Sequence, residues 1–166
     1  MSTNTNKKRS QKQEKSVAKN FDARVVVASG ALWGAKGDVR SDKCLIECKT
    51  TEKPYYSVTS KVWEKIEREA LKDGMRTPLL IVDLEDKDRV VVFDTKYFNT
   101  SVPHPRAEDP KTTNKSFRVS LKKFQEVFEK YLDYPRAYYF TICGEKKNLL
   151  CYMRFKDFIE AFKEEL

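Results

Sequence analysis

Two short segments place carboxylates and a lysine at a spacing that suits phosphate chemistry. Gly37-Asp38 is followed, nine residues after the aspartate, by Glu47-Cys48-Lys49. Because side chains alternate along a strand, Glu47 and Lys49 share one face of an otherwise apolar predicted strand. Burying a carboxylate and an ammonium there is costly unless something compensates their charges.

A divalent metal ion between Asp38 and Glu47 would compensate them. Two carboxylates, completed by water and phosphate oxygens, form the ligand set that Mg²⁺ prefers; Mn²⁺ is the alternative. Such an ion polarises a phosphate and lowers the pKa of a bound water. Lys49 would orient that water or stabilise the developing charge. The pattern therefore predicts a site for phosphodiester hydrolysis.

The acid-x-lysine element is weak evidence alone, because 35% of the residues are charged. Other copies are Glu85/Lys87, Asp94/Lys96, Asp109/Lys111 and Glu145/Lys147. Asp94/Lys96 is the serious rival, since it ends a predicted strand and Asp83 lies upstream. We favour the first copy because a glycine-rich loop precedes it and Glu14 lies beside the apolar face of a predicted helix.

These residues resemble the PD-(D/E)XK nuclease superfamily, and most closely its Holliday-junction-resolvase-like members, including those carried by phages. The resemblance covers roughly residues 10–84. The matching positions are Glu14, Ser29-Gly30, Gly37-Asp38 and Glu47-Cys48-Lys49 with Thr50-Thr51. The chain departs from the pattern in having Gly37, and not proline, before the aspartate.

The resemblance implies a role for each of these positions. Asp38 and Glu47 would be metal ligands, helped by the Cys48 carbonyl, with Lys49 as the catalytic lysine and Glu14 as a supporting acid. The implied activity is that of an Mg²⁺-dependent endodeoxyribonuclease that cuts branched DNA in recombination. A junction needs two cuts, so such enzymes usually act as homodimers.

The charge distribution also indicates a polyanionic partner, with nucleic acid first. The chain has 33 Lys and Arg against 25 Asp and Glu, and residues 1–24 carry seven basic against two acidic residues. A solubilising tail is the equally good alternative for this basic arm. A basic stripe on a predicted helix (Lys61, Lys65, Arg68, Lys72) is more typical of a solvated face. The predicted DNA contacts are Lys7, Lys8, Arg9, Lys12, Lys36 in the glycine-rich loop and, by resemblance, Ser29 near the scissile phosphate.

The elements around these residues predict an α/β fold, with a mixed central sheet flanked by helices in a restriction-endonuclease-like core. An aromatic-rich α+β part follows, since twelve of the twenty aromatic residues lie in 116–166. Helices are expected from Ser10 (as N-cap, with Gln13 reaching back) to Phe21, at 58–73, from Leu121, and from Phe155. Strands are expected at 24–27, 38–40, 44–49, 78–82 and 90–93, with a hairpin over 137–154.

The predicted organisation is one domain with an appendage. Residues 1–9 form a disordered basic arm and residues 10–98 the nuclease core. Residues 99–115 form a proline-rich loop or linker, and residues 116–166 a helix-hairpin-helix extension that serves dimerisation or completes the sheet.

Composition excludes several classes of protein. No apolar stretch approaches the length of a membrane span, and no secretory signal is recognisable. Cys44, Cys48, Cys143 and Cys151 form no CxxC pair, which argues against structural zinc and for reduced thiols. We expect a cytoplasmic protein, in the host cytoplasm if phage-encoded.

Two other functions stay open. One is a sequence-specific endonuclease of the restriction or homing type, and the other is a non-catalytic DNA-binding protein with a nuclease fold. Each residue also has a plain structural explanation. Asp38 could cap a turn, Glu47 and Lys49 could pair across strands in solvent, and Glu14 could pair with Lys15 or Lys19. The nuclease is favoured because the plain explanations require three coincidences in chain order.

Overall fold

A computed structural model describes residues 2–26, 37–85, 88–99, 114–128 and 137–166. The helices are α1 (Ser2–Asn20), α2 (Ser60–Lys72), α3 (Leu121–Phe128) and α4 (Phe155–Ala161), with a 3₁₀ turn at Thr95–Tyr97. The strands are β1 (Arg24–Val25), β2 (Val39–Arg40), β3 (Cys44–Thr51), β4 (Tyr56–Thr59), β5 (Thr77–Leu84), β6 (Asp88–Phe93), β7 (Ser116–Val119), β8 (Tyr138–Cys143) and β9 (Lys147–Arg154). None of these helices combines the length and the apolar character needed to cross a membrane.

Seven strands form one mixed sheet in the order β1-β2-β3-β5-β6-β9-β8. The β3 and β5 strands run parallel, and the other neighbouring strands of this sheet run antiparallel. A parallel pair needs a crossover connection, which α2 supplies between β3 and β5. The predicted α/β architecture, a mixed sheet flanked by helices, is confirmed.

The two long helices cover opposite faces of the sheet. Arg89 of β6 pairs with Asp83 of β5 at 2.6 Å and donates to the Ser16 hydroxyl of α1 at 3.1 Å. Lys65 of α2 instead lies 4.0 Å from the Glu47 carboxylate. The β3–β5 register places Asp83 and Glu47 on different faces. Glu47 therefore lies on the face of the sheet that α2 covers, whereas α1 covers the opposite face.

The C-terminal hairpin belongs to the central sheet, because β9 pairs with β6 along Val90–Phe93. Helix α4 joins the same core through Phe158 and Phe162, whose rings lie 4.9 and 5.4 Å from the buried Phe93 ring. Of the two roles expected for residues 116–166, the structure thus supports completion of the sheet. The predicted helix-hairpin-helix order is present, with β7 preceding it.

Three expectations about the elements are wrong. Helix α1 begins at Ser2, so the residues described within 1–9 are helical and Ser10 lies inside the helix. The segment contains no Pro or Gly and is rich in lysine and glutamine, which favour helix. Helix α2 begins after Thr59, whose Oγ1 accepts a hydrogen bond from the Val62 amide, so Val58 belongs to a strand. That strand, β4, pairs with β7 in a second, two-stranded sheet that the sequence did not predict.

Candidate functional site

Asp38 is held against β3 by its own backbone and side chain. The Asp38 amide donates to the Ile46 carbonyl at 2.9 Å, and Asp38 Oδ2 accepts from the Cys48 amide at 2.8 Å. Gly37 precedes it with φ +68°, and an added Cβ there would lie 2.8 Å from Leu45 Cδ1. Glycine at this position thus provides both the left-handed turn and the close approach to β3.

Glu47 and Lys49 share one face of β3, as strand alternation predicts, and they form an ion pair there. Lys49 Nζ lies 2.7 Å from Glu47 Oε1, and Glu47 is only 9% exposed. Burial would lower the pKa of Lys49, but the hydrogen bond to Glu47 and the charges of Glu47 and Asp38 outweigh it and raise that pKa. The lysine is therefore an ammonium ion at neutral pH.

Glu14 of α1 completes the group of four predicted residues. Its pKa is raised by burial and then by the negative charges of Asp38 and Glu47, while Lys49 acts in the opposite direction. The charges that act on Glu14 thus come from the predicted site and not from Lys15 or Lys19. The charges of Asp38, Glu47 and Lys49 thus act on Glu14, although α1 lies across the sheet from the face that carries the Glu47–Lys49 pair.

Gln13 anchors α1 to the sheet, a role that the sequence did not predict. It is 3% exposed, and its Nε2 donates to the Lys49 carbonyl at 2.9 Å and the Ile81 carbonyl at 3.4 Å. Gln13 therefore fastens α1 to β3 and β5 next to Glu14, instead of capping the helix at Ser10. Its spacing could have shown this, because Gln13 lies four residues before the buried Val17 on the apolar stripe.

Two further residues near the pair were not predicted as site residues. Lys65, expected on a solvated face, lies 4.0 Å from Glu47 Oε1. Tyr56 of β4 has a pKa raised by burial, and the charges of Lys49 and Glu47 also act on it. Both follow β3 in sequence, and only the tertiary fold brings them back to it.

The predicted DNA contacts have different environments. Arg9 forms a 2.9 Å ion pair with Glu52. Lys7, Lys8 and Lys12 are exposed along α1, the helix that carries Glu14. The predictions at Ser29 and Lys36 lie outside the described residues.

The donor atoms fit a hard cation held by few protein ligands. The described ranges contain no group of three or more Asp, Glu, His or Cys side chains that could hold a metal ion. Mg²⁺ usually takes only one or two carboxylates and keeps several waters, and Asp38 with Glu47 fits that smaller set. The Cys48 thiol is buried, which raises its pKa well above the ordinary thiol value; only its carbonyl suits such an ion.

The rival acid-x-lysine copy is a closed ion-pair network. Lys96 Nζ lies 2.7 Å from Asp94 Oδ2 and 2.8 Å from Glu67 Oε1, while Lys146 Nζ lies 2.5 Å from Glu67 Oε2. The Tyr97 hydroxyl donates to Glu67 Oε1 at 3.0 Å. Burial would raise the pKa of Glu67, but these hydrogen bonds outweigh it and lower that pKa. Because lysines already neutralise both carboxylates, this network leaves little excess negative charge for a metal ion.

The described chain is thus a mixed α/β protein with helices on both faces of its sheet and a carboxylate–lysine site on β3. Its sequence matches no protein-family model and is not significantly similar to any curated protein. Among solved structures, it is similar to Hjc of Archaeoglobus fulgidus, a Holliday junction resolvase from an archaeal hyperthermophile. The two chains are 15% identical, the similarity covers 67% of this chain and 86% of that chain, and the TM-score is 0.45.

Proposed function

We propose that this protein is a metal-dependent endonuclease that hydrolyses phosphodiester bonds in DNA. The observation that carries the proposal is the Glu47–Lys49 ion pair on β3, next to Asp38, which accepts a hydrogen bond from the intervening Cys48 amide. The pKa of Glu14 is raised mainly by burial and next by repulsion from the negative charges of Asp38 and Glu47. A cation bound there would relieve that repulsion, which gives the cluster a physical reason to exist.

The residues would divide the work as follows. Asp38 and Glu47, with the Cys48 carbonyl, would hold Mg²⁺ or alternatively Mn²⁺, and Glu14 would support them. The bound ion would polarise the scissile phosphate and lower the pKa of an attacking water. Lys49 stays protonated, so it would stabilise negative charge on the phosphate instead of removing a proton.

Branched DNA is the proposed substrate, on the strength of the resemblance of Glu14, Asp38 and Glu47-Cys48-Lys49 to the resolvase-like pattern. The exposed lysines of α1 support contact with DNA, because they lie on the helix that brings Glu14 to the site and would bind backbone phosphates without reading sequence. We also propose that the protein acts as a homodimer in DNA recombination. It would work in the cytoplasm, which is the host cytoplasm if the protein is phage-encoded.

The test is cleavage of a labelled four-way junction beside a linear duplex of matched sequence, with Mg²⁺ and with EDTA. The proteins are the native chain, Glu47→Ala, and Glu145→Ala as a control. The control removes an exposed carboxylate from another acid-x-lysine copy, which lies in the β8–β9 turn. We expect paired, Mg²⁺-dependent cuts in the junction by the native chain and the control, and loss of these cuts in Glu47→Ala, because a metal ligand is removed.

The other outcomes replace the proposal in defined ways. Cutting of linear duplex at fixed sequences would replace the junction substrate with that of a sequence-specific endonuclease. Binding of both DNAs without any cutting by the native chain would indicate a non-catalytic DNA-binding protein. A thermal shift gives a second readout, since Mg²⁺ that binds the folded site raises Tm. We expect this rise in Glu145→Ala and not in Glu47→Ala.

A further inference from the structure

A cavity of about 560 Å³ opens beside β4 and β7, outside the cluster of Glu14, Asp38, Glu47 and Lys49. This volume lies within the range of small-ligand pockets. Its described lining includes three cations and aromatic rings but no Asp or Glu. The lining residues that matter here are Tyr55, Phe117, Arg118, Lys122 and Lys123.

The aromatic part of the lining is firmly supported. The Phe117 ring stacks on the buried Phe140 ring, with centroids 4.3 Å apart and planes at 14°. Cations lie over the rings: Arg118 is 4.7 Å from the centroid of Tyr55, and Lys123 Nζ is 4.7 Å from that of Phe117. Flat apolar surfaces and positive charge are therefore available within one cavity.

This combination matches the chemistry of a nucleotide. Aromatic side chains stack on any base, because every base has a π-face, and Arg and Lys hydrogen-bond to phosphate oxygens. A base entering the cavity would displace the Arg118 side chain from the Tyr55 ring, which frees the guanidinium for the adjoining phosphate. A base inside a duplex is already paired and stacked, so only an unpaired nucleotide could enter.

Two consecutive residues, Tyr55 and Tyr56, connect the cavity with the candidate site. Tyr55 lines the cavity, and the next residue, Tyr56, is the one on which the charges of Lys49 and Glu47 act. Consecutive Cα atoms are about 3.8 Å apart. The segment that carries Tyr56 toward the candidate site thus also places Tyr55 in the cavity wall, and a DNA strand that follows this segment would reach both.

We propose that this cavity binds one unpaired nucleotide of the DNA, with its base against Tyr55 and its phosphate at Arg118, Lys122 and Lys123. The inference rests on the proposed function and narrows its substrate class. The protein would select DNA in which a single-stranded segment adjoins the cut, in preference to continuous duplex.

The test is DNA binding by fluorescence anisotropy in EDTA, where no cleavage occurs. Three labelled DNAs are compared: a duplex with a short single-stranded tail, the same DNA with abasic tail residues, and a blunt duplex. For the native chain we expect the abasic tail to weaken binding about tenfold, as for the loss of one base–aromatic stack.

The variants separate base binding from general charge attraction. Tyr55→Ala should bind the normal and abasic tails equally, whereas Tyr55→Phe keeps the ring and should keep the tenfold difference. Arg118→Ala should weaken binding of both tails. Lys72→Ala is the charge control, because it removes one positive charge from the end of α2, away from the cavity. It should weaken binding of either tailed DNA less than Arg118→Ala does. Circular dichroism and Tm establish that each variant is folded.

An equal abasic penalty in the native chain and Tyr55→Ala would overturn the inference. A change of oligomeric state in Tyr55→Ala with an unchanged penalty would also overturn it, in favour of contact with a second copy. The experiments distinguish a failure of the cavity assignment from a failure of the proposed function. A protein that never cleaves but shows the base dependence keeps the cavity assignment, and a junction-cleaving protein without that dependence loses only the cavity assignment.

Discussion

Replacing Gly37 with alanine tests how the fold positions the site aspartate. Alanine at φ +68° adopts a left-handed conformation that costs about 1–2 kcal/mol. Its Cβ would lie 2.8 and 2.9 Å from Leu45 Cδ1 and Cγ, and 3.3 Å from the Ile46 carbonyl oxygen. Leu45 is only 1% exposed, so relieving this clash requires repacking that costs about 1–3 kcal/mol.

The two contributions together predict a loss of about 2–5 kcal/mol in the free energy of unfolding. For a chain of this size, that lowers Tm by roughly 10 °C. Urea denaturation followed by circular dichroism measures the loss. Because β3 and the turn before β2 must separate, Asp38 moves from the Cys48 amide, and we expect DNA cleavage to fall as well.

Gly74→Ala is the matched control. Gly74 has φ +83°, but an added Cβ would meet only one side-chain atom, Arg76 Nη1, at 3.2 Å. This variant carries the conformational cost of about 1–2 kcal/mol without the packing cost, and its cleavage should be unchanged. Equal losses of stability in the two variants would refute the reasoning, because Leu45 would then accommodate the methyl group freely.

Two further predictions concern charge and pH. Glu14→Gln should stabilise the metal-free protein at neutral pH by about 0.5–1 kcal/mol, because it removes a carboxylate repelled by Asp38 and Glu47. The pKa of Glu14 is raised on folding, so native Glu14 favours folding only while protonated. The gain should disappear as the pH falls through the glutamate range, and a gain that persists at low pH would contradict this cause. Glu67→Gln should have the opposite effect and lower the free energy of unfolding by about 1–3 kcal/mol at neutral pH. Its folded-state pKa is lowered, so the stability it contributes is present above the ordinary value of 4.5 and is lost as the pH falls through the folded-state value. Urea denaturation across pH checks both, and a pH-independent loss in Glu67→Gln would remove the ionic explanation.

The central features of the site could be predicted because they depend on local patterns. Strand alternation places Glu47 and Lys49 on one face, a glycine turn precedes Asp38, and helical spacing brings Glu14 near an apolar face. Each feature needs only a few neighbouring residues. Their joint position in space was expected only from chain order and the family resemblance.

The features that were missed depend on pairing between distant segments. The β4–β7 sheet joins Tyr56–Thr59 to Ser116–Val119, and strands of four residues carry too little periodicity to be recognised. The contacts of Gln13 and Lys65 could not be predicted for the same reason, because their partners on β3 are distant in sequence. A polar residue on an apolar stripe is ambiguous until the surface that it contacts is known.

The pairing of β9 with β6 also determines how the chain can be divided. A protein cut before β7 would expose the backbone amides and carbonyls of β6 along Val90–Phe93, four residues that are fully buried in the intact chain. An uncovered apolar strand of this kind recruits strands from other molecules and leads to aggregation. We therefore expect residues 10–98 to aggregate when they are produced without the aromatic C-terminal part, because nothing then covers the β6 edge.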